Sequence, residues 1–222
     1  MPIRRSHASQ AEIVSALEDD IIFGVLRPLE RVTEEDVMQR FGATRHTARQ
    51  ALFTLEQIGV VERKPNRGIL VRDFSIEEVE NIYEVREVLQ KRAAERFPLP
   101  APKSLTAKLR SIQSRFVQAA QANATRDVYY LNKEFHDKLF GACGNPVLAQ
   151  AIERYAWFIH AIRSRVFADP EQLNRSQREH DAMIVALEQG DRESLVRICV
   201  EHLAPPKEAY IEANKWRLTR ED

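Results

Sequence analysis

One stretch of the chain, residues 24–72, limits the possible folds more than any other. It contains a short helical pattern, a glycine turn at Gly42-Ala43, a second helical pattern that starts at Thr44, and two strand-like runs around a glycine-containing turn. Helix, turn, helix and hairpin in that order are the plan of a winged helix-turn-helix, in which the second helix enters the DNA major groove and the hairpin touches the flanking backbone. The sequence therefore predicts a DNA-binding domain over residues 1–74.

The helices of this stretch are marked by their ends and by their inward faces. Thr33-Glu-Glu-Asp36 has the form of a capping box and starts a helix that we expect to end near Phe41. Thr44 can cap the second helix, whose inward stripe is formed by Ala48, Ala51, Leu52 and Leu55. Beyond it, the segment Lys64–Gly68 separates the two strand-like runs and is predicted to form the tip of the wing.

Charge is distributed unevenly along this domain, although the formal net charge of the whole chain is zero. Acidic residues dominate between Glu12 and Asp36, whereas the segment from Arg40 to Arg72 contains seven basic residues and only two acidic ones. Arg45 and Arg49 are one turn apart on the second helix and share a side. An arginine fork can pair with guanine and also binds phosphate, so this basic region supports the DNA-binding prediction.

The remaining residues, 75–222, are predicted to form a second domain, an all-α bundle of about six helices. After a first helix that Ser75 can cap, helical patterns cover about 103–122, 126–142, 146–168, 170–189 and 191–216. Because Pro205-Pro206 falls inside the last pattern, we expect a kink just beyond His202. The fold class is thus mainly α, with the small β-hairpin of the wing as its only strands.

Three histidines and one asparagine are the candidate metal ligands of this bundle. Asn132 and His136 are four residues apart and share a helix face, while His180 and His202 lie on the last two helices, which antiparallel packing could bring together. Imidazoles with one oxygen ligand are compatible with zinc, nickel or manganese. Histidines scattered over helices are also common as ordinary surface or core residues, so the spacing by itself leaves both interpretations open.

The first domain resembles the DNA-binding domain of the GntR family of bacterial regulators. The family signature G-x-L-x-P-G, E-x-x-L-A and G-x-S-R-T-P-V-R-E-A-L, with a glycine-tipped wing, corresponds here to Gly24–Pro28, Glu35–Val37, Gly42–Leu52 and Arg67-Gly68. The resemblance implies DNA contacts from the recognition helix and the wing, by Thr44, Arg45, His46, Thr47, Arg49, Arg67 and Gly68. The chain departs from the signature at Leu29 (for glycine), His46-Thr47 (for Thr-Pro) and Gln50 (for glutamate), and His46 could change the base preference.

The second domain resembles the FCD effector-binding domain, the C-terminal partner in the FadR subfamily of those regulators. The resemblance is carried by Leu131–His136, Gly144–Leu148, Glu179–Asp191 and Arg86. It implies a divalent metal, zinc by default, held by Asn132, His136, His180 and His202 beneath a small-molecule pocket.

The same resemblance has consequences for affinity and for the effector. Asn132 stands where many members have aspartate, which implies weaker metal binding. Because three imidazoles and an amide leave the positive charge of the metal intact, we expect a small carboxylate as effector, held also by Arg86. An ordinary salt bridge between helices is the alternative role of Arg86.

The leading functional prediction is a cytoplasmic, homodimeric transcription regulator, by default a repressor, that binds a palindromic operator and responds to a small ligand. A second interpretation keeps the DNA-binding domain and gives the bundle a metal-free effector pocket. A helical metalloenzyme is disfavoured, because neither H-E-x-x-H nor Glu-x-x-His occurs: Lys133, Gln177 and Cys199 stand three residues before the three histidines. No membrane partner is expected, because no apolar run approaches the length of a membrane span.

Overall fold

The computed structural model describes residues 8–163 and 169–215, and of residues 159–163 the backbone alone. Contacts between residues divide the chain into two compact units, Met1–Phe74 and Ser75–Asp222. No helix among the described residues has both the length and the apolar character needed to cross a membrane.

Three helices with well-defined N-termini open the first unit: α1 (Gln10–Ile22), α2 (Glu34–Phe41) and α3 (Arg45–Ile58). The predicted capping box at the start of α2 is confirmed, since Thr33 accepts from the backbone of Asp36 while the Asp36 carboxylate accepts from the Thr33 backbone. The predicted cap of α3 is confirmed as well, because the Thr44 hydroxyl accepts from the N–H of Thr47. The predicted inward stripe of α3 is fully buried: Ala48, Ala51, Leu52 and Leu55.

The hairpin that follows consists of the antiparallel strands β1 (Val61–Lys64) and β2 (Gly68–Val71). Lys64 and Gly68 pair within the ladder, so the turn is shorter than the expected tip and comprises only residues 65–67. Asn66 turns the chain there with φ of 61°, a left-handed conformation that asparagine tolerates better than most residues.

A third extended segment lies beside β2 and was not expected from the sequence. The N–H of Val32 donates to Ile69 at 3.0 Å, the N–H of Leu29 donates to Val71 at 2.9 Å, and Arg31 forms an isolated bridge with Leu70. The wing is therefore held on its second side by the residues that precede α2.

The second unit contains seven helices in its described part, one more than the sequence suggested. They are α4 (Ile76–Arg96), α5 (Lys103–Gln121), α6 (Thr125–Gly141), α7 (Pro146–Arg163), α8 (Pro170–Gln189), α9 (Arg192–Glu201) and α10 (Ala204–Asn214). The ends predicted for α7 at residue 168 and for the last helix at residue 216 lie outside the described residues.

The prediction of one continuous helix over residues 191–216 is wrong, because α9 ends at Glu201 and α10 begins at Ala204. Pro205 and Pro206 have no N–H, so they cannot continue the i→i−4 ladder to the carbonyls of Glu201 and His202. The kink that we expected just beyond His202 is thus present as an interruption of the helix.

Packing in the second unit brings distant parts of the chain together around one apolar core. Helix α5 packs against α6 and α8, α4 packs against α7 and α9, and α8 packs against α9. The core contains large side chains without exposed surface, among them Leu109, Ile112, Phe116, Phe135, Leu139 and Ile184. Burial of each such side chain stabilises the fold by roughly 1.5–3 kcal/mol, which makes the bundle a firm support for polar groups placed between its helices.

Candidate nucleic-acid interface and metal centre

The side chains predicted to contact DNA lie mainly at the first turns of α3. Arg45, His46 and Arg49 are exposed, as is the cap residue Thr44, and Thr47 is half-buried. The hydroxyls of Thr44 and Thr47 lie 2.8 Å apart, so they form part of the cap itself. The beginning of α3 therefore presents two arginines and an imidazole to solvent from a well-anchored helix end.

An acidic residue of α2 holds both arginines of α3. The Nε of Arg49 donates to Glu34 Oε1 at 2.8 Å, its second nitrogen lies 3.3 Å from Oε2, and the Nε of Arg45 lies 3.9 Å from the same carboxylate. The hydrogen bond from Arg49 lowers the pKa of the Glu34 carboxyl, and the same bond raises the pKa of the Arg49 guanidinium. Both arginines are thus oriented by one anion before any ligand is present.

The arginines at the wing differ from those of α3 in their surroundings. Arg67 is exposed in the turn, and Gly68 begins β2 with φ of 80°. A Cβ at Gly68 would lie only 3.3 Å from the Nε of Arg31, so the absent side chain leaves room for that guanidinium beside the wing. Within the described part of the chain, neither Arg31 nor Arg67 has an acidic side chain in salt-bridge range. Sequence reasoning missed Arg31, because only the pairing of its backbone with β2 brings it to the wing.

In the second unit, three of the four predicted metal ligands converge. His136 comes from α6 and His180 from α8, and His202 is the C-cap residue that directly follows α9. One ring nitrogen of each histidine lies within 4.8 Å of the others, and the Nε2 atoms of His136 and His202 are 3.2 Å apart. Two nitrogens that bind one tetrahedral zinc ion at about 2.1 Å would be separated by roughly 3.4 Å, so this spacing fits a shared ion.

The far sides of two imidazoles are fixed by hydrogen bonds. His180 Nδ1 lies 3.1 Å from Gln113 Oε1, and His202 Nδ1 lies 2.5 Å from Glu179 Oε2. Both partners accept through these oxygens, so Nδ1 is the donor in each contact. With Nδ1 protonated, a neutral ring would have its Nε2 lone pair available for a metal ion. A metal-binding histidine typically donates its other N–H to a carboxylate or carbonyl in this manner.

These two partners are themselves held in place. The Nε2 of Gln113 donates to the backbone carbonyl of Gln177 at 3.0 Å, which turns the Gln113 oxygen toward His180. The second oxygen of Glu179 accepts from Arg175 Nε at 2.7 Å. Burial raises the pKa of Glu179, but the hydrogen bond to His202 and the contact with Arg175 act in the opposite sense, and the net effect is a lowered pKa.

Sequence reasoning identified neither Gln113 nor Glu179. A polar glutamine within the apolar stripe of α5, next to Ile112 and before Phe116, is the one signal that could have indicated Gln113. Its partner His180 is 67 residues away, so the pairing itself depends on tertiary structure.

Asn132, the fourth predicted ligand, lies one turn before His136 on α6 and is 2% exposed. Its Oδ1 is buried and has no hydrogen-bond partner among the described residues. A buried carbonyl oxygen without a partner is costly, and a metal ion is one of the few groups that would satisfy it. The donor set thus fits a divalent metal that accepts nitrogen and oxygen ligands.

Aromatic rings surround the histidine cluster. Phe135 stacks on His180 with ring centres 4.0 Å apart, Phe116 lies 5.3 Å from the same imidazole, and Phe140 stacks on His136 at 6.1 Å. His180 and His202 are buried, whereas His136 is only half-buried. The cluster is therefore a polar site in apolar surroundings, where electrostatic interactions are stronger than in water.

The predicted effector contact, Arg86, lies on α4 and is 3% exposed. Its guanidinium carbon is 5.0 Å from the centre of the Tyr83 ring. Helix α4 packs against α9, the helix that directly precedes His202. Another histidine of the bundle, His160, has its side chain outside the described residues.

Comparison with known proteins agrees with this architecture. Residues 9–71 match the model of the bacterial regulatory proteins of the gntR family, and residues 81–205 match the FCD domain. The chain is 23% identical over 195 residues to the HTH-type transcriptional regulator YdhC of Bacillus subtilis, covering 86% of each protein. It is 24% identical over 195 residues to the HTH-type transcriptional repressor RspR of Escherichia coli, covering 86% of this chain and 84% of that protein.

Solved structures show the same fold. The E. coli protein McbR/YncC superposes with a TM-score of 0.76 at 16% identity, covering 92% of this chain and 97% of its own. A putative GntR transcriptional regulator from Rhodococcus sp. RHA1 superposes with a TM-score of 0.77 at 19% identity, covering 92% of this chain and 98% of its own.

The helix-turn-helix with its wing, the helical bundle with its histidine cluster and both family matches lead to one conclusion. The chain belongs to the GntR family of bacterial regulatory proteins, in its FadR-like branch, and is a transcriptional regulator with a DNA-binding domain and an FCD domain rather than an enzyme.

Proposed function

We propose that this regulator is a homodimeric repressor that binds a palindromic operator, holds a divalent metal in its FCD domain and leaves the operator when a small carboxylate binds. One observation carries the regulatory part of this proposal: three imidazole nitrogens lie within 4.8 Å of one another. Asn132, one turn before His136 on the same helix, adds a buried oxygen that has no hydrogen-bond partner among the described residues. In this proposal, residues 1–74 form the DNA-binding domain and residues 75–222 the ligand-binding and dimerisation domain.

The proposed DNA contacts come from the start of α3 and from the wing: Thr44, Arg45, His46, Thr47, Arg49, Arg67 and Gly68. The exposure of the basic residues among them supports this assignment. Arginines on α3 are suited to read guanine in the major groove, whereas Arg67 and the neighbouring Arg31 are suited to bind backbone phosphate.

Asn132, His136, His180 and His202 would hold the metal, and zinc is the first candidate because imidazole nitrogens and one oxygen suit it. When bound, the ion supplies a concentrated positive charge that attracts an anionic ligand. Arg86 would contribute a second positive group, since a planar guanidinium matches the two oxygens of a carboxylate. A buried arginine on a helix that packs against α9 supports this role.

The outward side of α4 supports a homodimer. Val85 and Val88 are 37% and 64% exposed, and Ile82 and Leu89 beside them are half-buried. These four residues form an apolar stripe at helical spacing, and two copies of such a stripe can bury each other across a two-fold axis. Two DNA-binding domains related in this way would read the two halves of a palindrome.

Repression is proposed because the relative RspR of E. coli, which matches most of the chain, is named a repressor. Release by a ligand requires that the ligand prefer the conformation with lower DNA affinity. Reporter expression from the native operator with and without the regulator tests the sign: higher expression in the absence of the regulator is the expected result, and lower expression would mean activation.

The metal part is tested by melting chelator-stripped protein before and after addition of zinc, nickel or manganese. An ion that binds only the folded state at a hundred times its Kd stabilises it by about 2.7 kcal/mol, which raises Tm by several degrees in a protein of this size. The rise should disappear in His136→Ala and His180→Ala. Stripped protein that shows no rise with any of the three metals would contradict the metal part of the proposal.

A metal-free effector pocket is the second candidate. The neutral side chain of Asn132 favours it, because an amide oxygen binds a divalent metal more weakly than a carboxylate would. In that case small carboxylates would raise the Tm of chelator-stripped protein, and Arg86→Ala would abolish the rise. Under the leading proposal the same carboxylates act only after the metal has been added.

A further inference from the structure

The four ligands proposed above contribute no negative charge, because histidine is neutral when it binds a metal and asparagine is always neutral. Three of them are almost fully buried: Asn132, His180 and His202 are 2%, 0% and 3% exposed. A doubly positive ion among neutral ligands in apolar surroundings is poorly compensated, since buried charge is costly without a partner. A nearby anion would therefore decide whether the ion binds tightly.

Glu179 places a carboxylate in direct contact with the cluster. Its Oε2 lies 2.5 Å from Nδ1 of His202, on the side of the ring that faces away from His136. Its side chain is 17% exposed, so the interaction is only weakly screened by solvent. Arg175 contacts the other oxygen, but the Arg175 side chain is 41% exposed and its charge is more strongly screened.

His180 offers a matched comparison within the same cluster. Its Nδ1 has the same kind of contact as that of His202, but the partner is the neutral amide oxygen of Gln113 at 3.1 Å. Both contacts fix the tautomer of an imidazole, whereas only the contact from Glu179 also adds negative charge.

We propose that Glu179 is a positioning residue that supplies, through His202, the negative charge that the ligand set lacks because its oxygen ligand, Asn132, is neutral. This inference depends on the metal site proposed above. It makes Glu179 and Asn132 interdependent: a carboxylate at position 132 becomes important when the carboxylate at position 179 is lost.

The test measures the zinc Kd of the full-length protein by competition with a chelator of known affinity, at fixed pH and ionic strength. Glu179→Gln keeps the shape and the hydrogen-bond acceptor but removes the charge, and it should weaken zinc binding by about 10–100-fold. Glu188→Gln is the control, because it removes another acid of α8 that is paired with an arginine, Arg110, and it should leave the zinc Kd unchanged. The Tm of each metal-free variant reports whether its fold is intact.

The decisive variant combines Glu179→Gln with Asn132→Asp. If Glu179 acts through its charge, this double variant should recover most of the lost affinity. Weak binding by the double variant would contradict the inference, because Glu179 would then act only by orienting His202. Unchanged binding by Glu179→Gln alone would also overturn it, although the metal site would remain.

Two further outcomes separate the inference from the metal proposal itself. Wild-type protein that binds no zinc, nickel or manganese would overturn both. If Glu179→Gln failed to fold, Asn132→Asp in the otherwise unchanged protein would replace it. If Glu179 already compensates the charge of the ion, Asn132→Asp should raise the zinc affinity by less than about tenfold. A gain above about a hundredfold would contradict the inference.

Discussion

At the scale of single residues, the arginines of the DNA-binding unit fall into two groups that differ in their acidic neighbours. Arg45 and Arg49 are oriented by Glu34, so each must exchange a carboxylate for a base or a phosphate when DNA binds. Arg31 and Arg67 have no acidic side chain in salt-bridge range among the described residues. Replacing the Glu34 carboxylate favours a DNA group that can accept two hydrogen bonds from the guanidinium in the same geometry. An arginine without an acidic neighbour is attracted to any backbone phosphate.

Arg49→Ala should therefore reduce affinity for the operator more than affinity for unrelated DNA. Loss of a bidentate base contact costs about 1–3 kcal/mol of specific binding. Fluorescence anisotropy with operator and scrambled duplexes at one salt concentration measures both affinities. Arg110→Ala is the matched control, because Arg110 is paired in the same bidentate manner with Glu188 in the second unit. An equal loss of affinity for both duplexes would show that Arg49 binds only the backbone.

Arg31→Ala should weaken binding to all duplexes equally and lower the slope of log K against log salt by about one, as expected for a single phosphate contact. The reason is its position beside Gly68 at the wing. Arg27→Ala removes another exposed arginine from the same connecting segment and should leave the slope unchanged. If the slope of log K against log salt in Arg31→Ala equalled that of the wild type, Arg31 would not contact the DNA backbone.

At the scale of elements, several helix ends depend on one polar side chain. Helix α9, which directly precedes His202, is capped at its N-terminus by Asp191, whose carboxylate accepts from the N–H of Ser194 at 3.0 Å. This hydrogen bond from the Ser194 backbone is the largest of the effects that lower the pKa of Asp191. An N-cap of this kind stabilises the helix most when the carboxylate is ionised, because the negative charge strengthens the hydrogen bond and complements the positive end of the helix dipole.

Asp191→Ala should consequently lower the Tm at neutral pH, and the difference from wild type should shrink in acid. Because the folded-state pKa lies below the ordinary value of 3.8, the part of the contribution that depends on charge is fully present above 3.8 and is lost as the pH falls through the lowered value. Thermal melts of metal-free protein over a range of acidic pH test this. A difference in Tm that persists to the lowest pH would mean that the aspartate acts by some means other than its charge.

Local signals in the sequence predicted the elements better than the contacts between them. Thr33, Thr44 and Gly42 mark helix ends by chemistry that acts within one turn of the chain, and the structure has those ends where they were expected. The contact of residues 29–32 with β2 and the pairing of Gln113 with His180 join segments far apart in sequence. Such contacts leave little local trace, so they could not be predicted from periodicity or capping.

At the scale of the whole molecule, the proposed homodimer links two DNA-binding units. The affinity of the two subunits for each other should therefore determine the affinity for the operator. Val85→Glu should produce monomers in analytical ultracentrifugation and weaken operator binding, because a charge would enter the apolar stripe of α4. Val185→Glu is the control, since Val185 on α8 is exposed to nearly the same extent, 38% against 37%. Dimers that persist in Val85→Glu would locate the interface elsewhere.

The histidine cluster joins helices that are widely separated along the chain, since His136 and His202 are 66 positions apart. An ion bound there would act as a reversible cross-link that stabilises the folded state, because it holds the helices together and is released when they separate. Without the ion, α6 and α9 would separate more often, and proteases would cleave the transiently opened chain more readily. The amount of regulator that survives would then depend on metal supply, independently of any effector.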